Sequence, residues 1–386
     1  MGKYNFDKIV NRLDKESHKY SENNPNILPM WVADMDFEVF PKITEAIINR
    51  TTTPCYGYTS IPDEFFLAYI NYWKRHHNAI FKIEDCIFCT GVVAAIDSIF
   101  KHHIQKGKKI VLQTPVYHTF FHCIENNGLI AIENQLKYED GHYSIDFEDL
   151  ENKLQDKDVG AFLFCNPHNP TGHIFMKEEI NKIIEICMKN DVLLISDEIH
   201  SEIRETGYTC NSVLSTNINY DKVIVLLAGS KCFNLAGLHS SLVVIKNKEL
   251  HSTIQDGIYQ DDIGEPNYFA CDANIVAFNE GDEWLEEMND YVTINKQYVR
   301  DFFKNEELGI KVINGEATYL LWLDVSKYTN NSKEFAEDLK KKTGLWLTCG
   351  LGFRGNGKHF VRMNVATSYK NVVDGCNRLK KYIKSL

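Results

Sequence analysis

Val223-Ile-Val-Leu-Leu-Ala-Gly229-Ser-Lys231-Cys-Phe-Asn234 is the stretch whose reading decides the fold. The apolar run 223–228 predicts a strand buried on both faces. It delivers a single lysine into a loop of small and polar residues. A lysine at the end of a buried strand is unfavourable unless it is paired or chemically used. One such use is a Schiff base, in which a carbonyl group holds the amine covalently. The competing reading is a surface lysine that opens a loop, and the stretch alone supports both.

Working outward, similar apolar runs recur at 86–89, 109–112, 160–165, 192–196 and 241–245. Helical patterns separate them, such as 177–190 and the helix opened by Gly91, with Val92, Val93, Ile96, Ile99 and Phe100 on one face. Strands and helices in this alternation predict an α/β fold with a large domain, its mainly parallel, mixed sheet covered by helices on both faces. In such sheets, polar residues just past the strand ends gather at one edge, where ligands bind. Tyr117, Asn169, Asp197 and Lys231 all stand there. Beyond residue 280 come a long charged helix (280–306), strands at 319–325 and 360–365, and helices at 332–343 and 372–383. These predict a small α+β domain built from both termini. The expected division is 1–45 packing with the small domain, 46–280 as the large domain and 281–386 as the small one.

Composition narrows the function classes. The 386 residues are 44% hydrophobic and 25% charged, with a net charge of −11. That balance argues against nucleic acid or an anionic membrane as partner. No apolar run approaches the roughly 18 residues of a membrane-spanning helix. Eleven cysteines without a framework, and an N-terminus without an apolar signal core, lead to the expectation of a reduced, cytoplasmic protein. Cys86-x-x-Cys89 lacks the second pair of a zinc site. Asp197-Glu-Ile-His200 spells a helicase motif, but no phosphate-cradling Gly-x4-Gly-Lys-[Ser/Thr] accompanies it. Asp197, Glu198, His200 and Glu202 point in different directions at a strand end, so no metal site is expected. The glycines of 350–355 lead into a turn and a strand rather than a helix, and no Gly-x-Ser-x-Gly occurs.

The four strand-end residues suit pyridoxal 5'-phosphate (PLP). A carboxylate such as Asp197 holds the pyridine nitrogen protonated, making the ring an electron sink; it can equally be a helix N-cap. Tyr117 can lie flat on the ring or be an ordinary buried aromatic. Asn169 can donate to the phenolic oxygen or serve a turn. The Val92 and Val93 amides, where Gly91 opens a helix, can hold a phosphate.

The motifs Asn169-Pro-Thr-Gly172, Ser196-Asp-Glu-Ile-His200, Ser230-Lys231, Phe233-Asn-Leu-Ala-Gly-Leu238 and Phe360-Val-Arg362-Met-Asn364 follow in order along the chain. Together they resemble the class I/II aminotransferase fold of PLP enzymes. Within that fold, Trp31-Val-Ala-Asp34-Met-Asp36-Phe37, the string 166–172 and Glu316-Ala-Thr-Tyr319-Leu-Leu-Trp322 are similar to the MalY/PatB C–S lyases, relatives of cystathionine β-lyases.

The resemblance implies that Lys231 is the Schiff-base lysine, Asp197 the partner of the ring nitrogen, Asn169 that of the phenolic oxygen, and Tyr117 the stacking residue. Ser230, Val92 and Val93 would hold the phosphate, with Tyr58 reaching it from the neighbouring subunit of a homodimer. Arg362 would grip the substrate carboxylate as a bidentate fork, with Asn169, Tyr319 and Asp34 also on the substrate side. His239 stands where aminotransferases usually present Arg or Lys, Ala228 where many have Ser, and His200 where tyrosine is common. These departures favour a lyase over a transaminase.

The implied reaction is β-elimination. The substrate amine displaces Lys231, the freed amine takes the α-proton and a thiolate leaves. Cystathionine would thus yield homocysteine, pyruvate and ammonia. The alternatives are an aminotransferase acting on a 2-oxo acid and a regulatory or binding protein that carries PLP.

Overall fold

The computed structural model describes residues 2–386. These residues build a seven-stranded sheet in the order Cys86–Cys89, Ser241–Val244, Val223–Leu227, Leu193–Asp197, Val159–Cys165, Lys109–Thr114 and Ile130–Gln135. Ser241–Val244 runs antiparallel to both its neighbours. The remaining pairings are parallel. The expected mixed, mainly parallel sheet is therefore present.

Alternation along each strand explains why the apolar runs are unbroken. Ile224, Leu226, Ile195 and Leu163 pack on one side with Ile96 and Ile99 of the helix Val92–His103. Val225, Leu227, Leu194 and Phe164 pack on the other, with Ile183 of Lys177–Asn190 and Phe278 of Ala270–Glu280. Both faces are thus covered. Cys86 and Cys89 fall into opposite layers and cannot share a metal.

A second, antiparallel sheet joins Lys311–Val312, Leu320–Asp324, Phe360–Asn364 and Thr348–Cys349. The helices Asp282–Asn305, Ser332–Thr343 and Tyr369–Ile383 belong to the same part of the chain. The N-terminal Leu28–Pro29 pairs in parallel with Leu345–Trp346. The helix Pro41–Thr51, by contrast, packs on Ala270–Glu280 of the large unit.

Candidate active site

The strand Val223–Leu227 leads through Ala228 into the short helix Gly229–Cys232, which carries Lys231. Close packing explains Gly229: a Cβ there would lie 2.8 Å from Asn274 Oδ1 and 3.3 Å from the Phe278 ring. Lys231 is half-buried, and its Nζ donates to the Ala33 carbonyl at 2.9 Å. Burial lowers the proton affinity of this amine; Asp34 opposes the effect and Arg362 adds to it.

The neighbouring strand ends on Asp197, which is 5% exposed. Its Oδ1 accepts the Ile199 N–H at 3.0 Å, so it does act as a local cap. Burial pushes the carboxyl up to about 7, against that hydrogen bond. Such a carboxyl gains from any cation brought against it. Buried His200 lies three residues on, its Nδ1 without a partner among the described residues. Burial, then the charges of Lys231 and Arg362, pull its imidazole down to about 3, so the ring is neutral near pH 7.

Arg362 occupies the centre of Phe360–Asn364 and is 4% exposed. It donates from Nη1 to Asn169 Oδ1 at 3.0 Å and from Nη2 to the Trp31 carbonyl at 3.2 Å. Its Nε is buried without a partner among the described residues. Burial draws the guanidinium down to about 10, Tyr117 and Tyr319 opposing. With Oδ1 turned to Arg362, the Asn169 amide keeps its Nδ2 for another acceptor.

These groups share one cavity of about 490 Å³. Lys231, Asp197, Asn169, Tyr117, His200 and Arg362 line it, as do Ser230, His239, Val92 and Val93. No side chain caps the first turn of Val92–His103 where it opens on the cavity. A Cβ on Gly91 would meet nothing within 4 Å. An uncapped helix N-terminus beside that space is an anion cradle.

Three further expected residues do not line this cavity in their own chain. The Asp34 carboxylate is held by the Arg12 fork at 2.9 and 2.7 Å and does not line the cavity, although its charge acts on Lys231. Tyr319 is buried with its ring 6.3 Å from that of His200, and it does not line the cavity. Tyr58 is fully exposed and also lies off the cavity of its own chain. In turn, the structure adds His18, Trp31, Thr348 and His118 to the lining. His118 follows Tyr117 past a strand end and was open to the same reasoning. Trp31 serves through its carbonyl, which leaves no mark in side-chain chemistry.

The set fits PLP. A buried carboxyl would suit the ring nitrogen, an amine the aldehyde, and an uncapped helix end facing open space the phosphate.

Comparisons with known proteins agree. The model of the family described as aminotransferase class I and II matches residues 25–379. Cystathionine β-lyase PatB of Bacillus subtilis is 34% identical over 382 residues, covering 97% of this chain and 99% of the relative. Cystalysin of Treponema denticola, whose crystal structure contains PLP, superposes with a TM-score of 0.95 at 31% identity, covering 99% of each chain. The PLP-bound C–S lyase of Staphylococcus hominis gives 0.92 at 30% identity, covering 98% of each.

Proposed function

We propose that this chain, which belongs to the aminotransferase class I and II family, is a PLP-dependent C–S β-lyase. It cleaves cystathionine or other cysteine thioethers to a thiol, pyruvate and ammonia. The observation that carries the reading is the convergence of an amine, a buried carboxyl, an amide and a buried arginine fork on one cavity.

Lys231 would hold PLP covalently, Asp197 its ring nitrogen, Asn169 Nδ2 its phenolic oxygen, and Ser230 with the Val92 and Val93 amides its phosphate. When bound, PLP supplies an electron sink for the pair left on the substrate α-carbon. The chain's own residues do the rest. Arg362 orients the amino acid by its carboxylate, and Lys231 Nζ, once free, takes the α-proton. Its proton affinity, lowered by burial, suits an amine that must act as a base near neutrality. Neutral His200 places no competing cation beside the phenolic oxygen.

Arg362→Ala should raise KM about 10²-fold while leaving the cofactor attached, because a buried charged fork to the substrate is lost. Steady-state kinetics beside the cofactor absorbance checks both halves; an unchanged KM removes Arg362 from the site. The reaction class is read from pyruvate release out of cystathionine with no keto acid added. Turnover that begins only after a 2-oxo acid is supplied would make the chain a transaminase.

The finer assignments belong to the same proposal. The enzyme works as a homodimer, in which fully exposed Tyr58 reaches the neighbour's phosphate. Residues 46–280 hold the cofactor, and 281–386 with the N-terminal segment hold the substrate carboxylate. It resides in the cytoplasm, a placement supported by eleven cysteines that are all free. Among the described residues no helix is long and apolar enough to cross a membrane.

A further inference from the structure

Residues 31–35 lie outside both main sheets, yet every carbonyl in this segment accepts a side-chain donor. The Trp31 carbonyl takes Thr348 Oγ1 at 2.6 Å and Arg362 Nη2 at 3.2 Å. The Val32 carbonyl takes Asn364 Nδ2 at 2.7 Å, and the Ala33 carbonyl takes Lys231 Nζ at 2.9 Å. The Asp34 carbonyl receives Asn364 at 2.8 Å and Lys19 at 2.9 Å. The Met35 carbonyl receives Arg12 at 3.0 Å and Asn234 at 3.2 Å. Two of the five oxygens thus hold the two cations on which the proposed reaction depends.

The outer side of the segment is pinned by charge. Arg12 forks onto Asp34 at 2.9 and 2.7 Å and reaches Asp36 at 3.4 Å. Lys19, 1% exposed, meets the other Asp36 oxygen at 2.9 Å. A planar fork on a carboxylate fixes orientation as well as distance. Rotation of the Asp34 peptide would swing the Ala33 carbonyl away from Lys231, because the two share one backbone.

We infer that Arg12 is a positioning residue for catalysis: through Asp34 it sets the Ala33 carbonyl that holds the Lys231 amine and the Trp31 carbonyl that orients Arg362. This rests on the lyase reading for its consequences in turnover, but not for its geometry. Arg12 touches neither substrate nor cofactor. Its effect is on where Nζ and the guanidinium stand.

The test compares full-length wild type with Arg12→Ala, Arg12→Lys and Asp34→Ala. One measurement is the rate at which cofactor-stripped protein takes up PLP on Lys231, trapped by borohydride and located by peptide mass. The other is kcat and KM for pyruvate release by the holoenzyme. Arg12→Ala and Asp34→Ala should each slow uptake and lower kcat about tenfold, the order expected for a small misplacement of a reacting group. Arg12→Lys should fall between, since it keeps the charge without the fork. Uptake and kcat within twofold of wild type in a folded Arg12→Ala overturn the inference, even if melting occurs earlier. Should Arg12→Ala not fold, Asp34→Ala and Arg12→Lys decide on the same criteria. Wild type that forms no pyruvate from any thioether amino acid defeats the lyase reading, while the uptake rate still judges Arg12.

Discussion

Lys231→Ala abolishes covalent cofactor attachment and lowers pyruvate formation by at least about 10⁴-fold, the upper range for loss of a positioned proton-transfer group. The size follows from two tasks resting on one atom. Nζ is the amine that the site offers to a carbonyl, and after displacement it is the base for the α-proton. Its acceptor, the Ala33 carbonyl, cannot itself remove a proton from carbon. Neutral His200 shares the cavity, but burial and two nearby cations hold its proton affinity at about 3, too low for the task. Absorbance of the lysine-linked cofactor and a coupled pyruvate assay are the measurements. Normal pyruvate formation by the variant would end the proposed mechanism.

Asp197→Asn should cost activity and add stability. The amide keeps an oxygen for the Ile199 N–H but cannot hold a positive charge on a ring nitrogen. Losing one partner of a buried charge pair costs about 3–5 kcal/mol, or roughly 10³-fold in turnover. In the cofactor-free protein the sign reverses. Burial raises the carboxyl from 3.8 to about 7, so the folded state binds the extra proton. Stability from this group is therefore full below about pH 4 and is lost as pH rises through about 7. The shift corresponds to roughly 4 kcal/mol. Without PLP at pH 8, Asp197→Asn should melt above wild type, and the gap should close toward pH 4. Saturating PLP should raise the melting point of wild type more than that of the variant. A variant that melts no higher at pH 8 refutes the burial argument, and one with normal turnover removes Asp197 from the reaction.

What was legible in the sequence follows from physics that acts along the chain. A strand buried on both faces must be an unbroken apolar run, so Val223–Leu227 and Leu193–Asp197 announce themselves and their ends can be read. Lys231, Asp197, Asn169 and Tyr117, read from such strand ends, all line one cavity. The edge strand Ile130–Gln135 escaped because one flank is exposed and its run is interrupted by Glu133 and Asn134. Asp34 does not line that cavity. Val32 and Ala33 ahead of it do, but its own carboxylate is held by Arg12, a partner that no local pattern reveals. Tyr319 stands one residue ahead of the strand Leu320–Asp324, and its burial beside His200 depends on how the two sheets meet. The carbonyls of Trp31 and Ala33 could not be read at all, since every residue carries the same atom there.

The row of carbonyls between Trp31 and Met35 also bears on how the protein is made. Asn364, which holds two of them, lies 332 residues downstream of Val32, one of the oxygens it binds. On the ribosome this segment emerges well before the strand that binds it, Phe360–Asn364. The sheet that carries Lys231 can close long before then, since its strands are complete by Val244. Lys231 is therefore presented on a folded scaffold while its Ala33 acceptor is still unanchored by Asn364, and Arg362 is not yet synthesised. A nascent chain released early would carry the lysine without the groups that aim it. Such contacts between the two ends are slow to form and are made last. Activity should therefore appear only once Phe360–Asn364 has been made, so that translation products cut short of that strand stay silent.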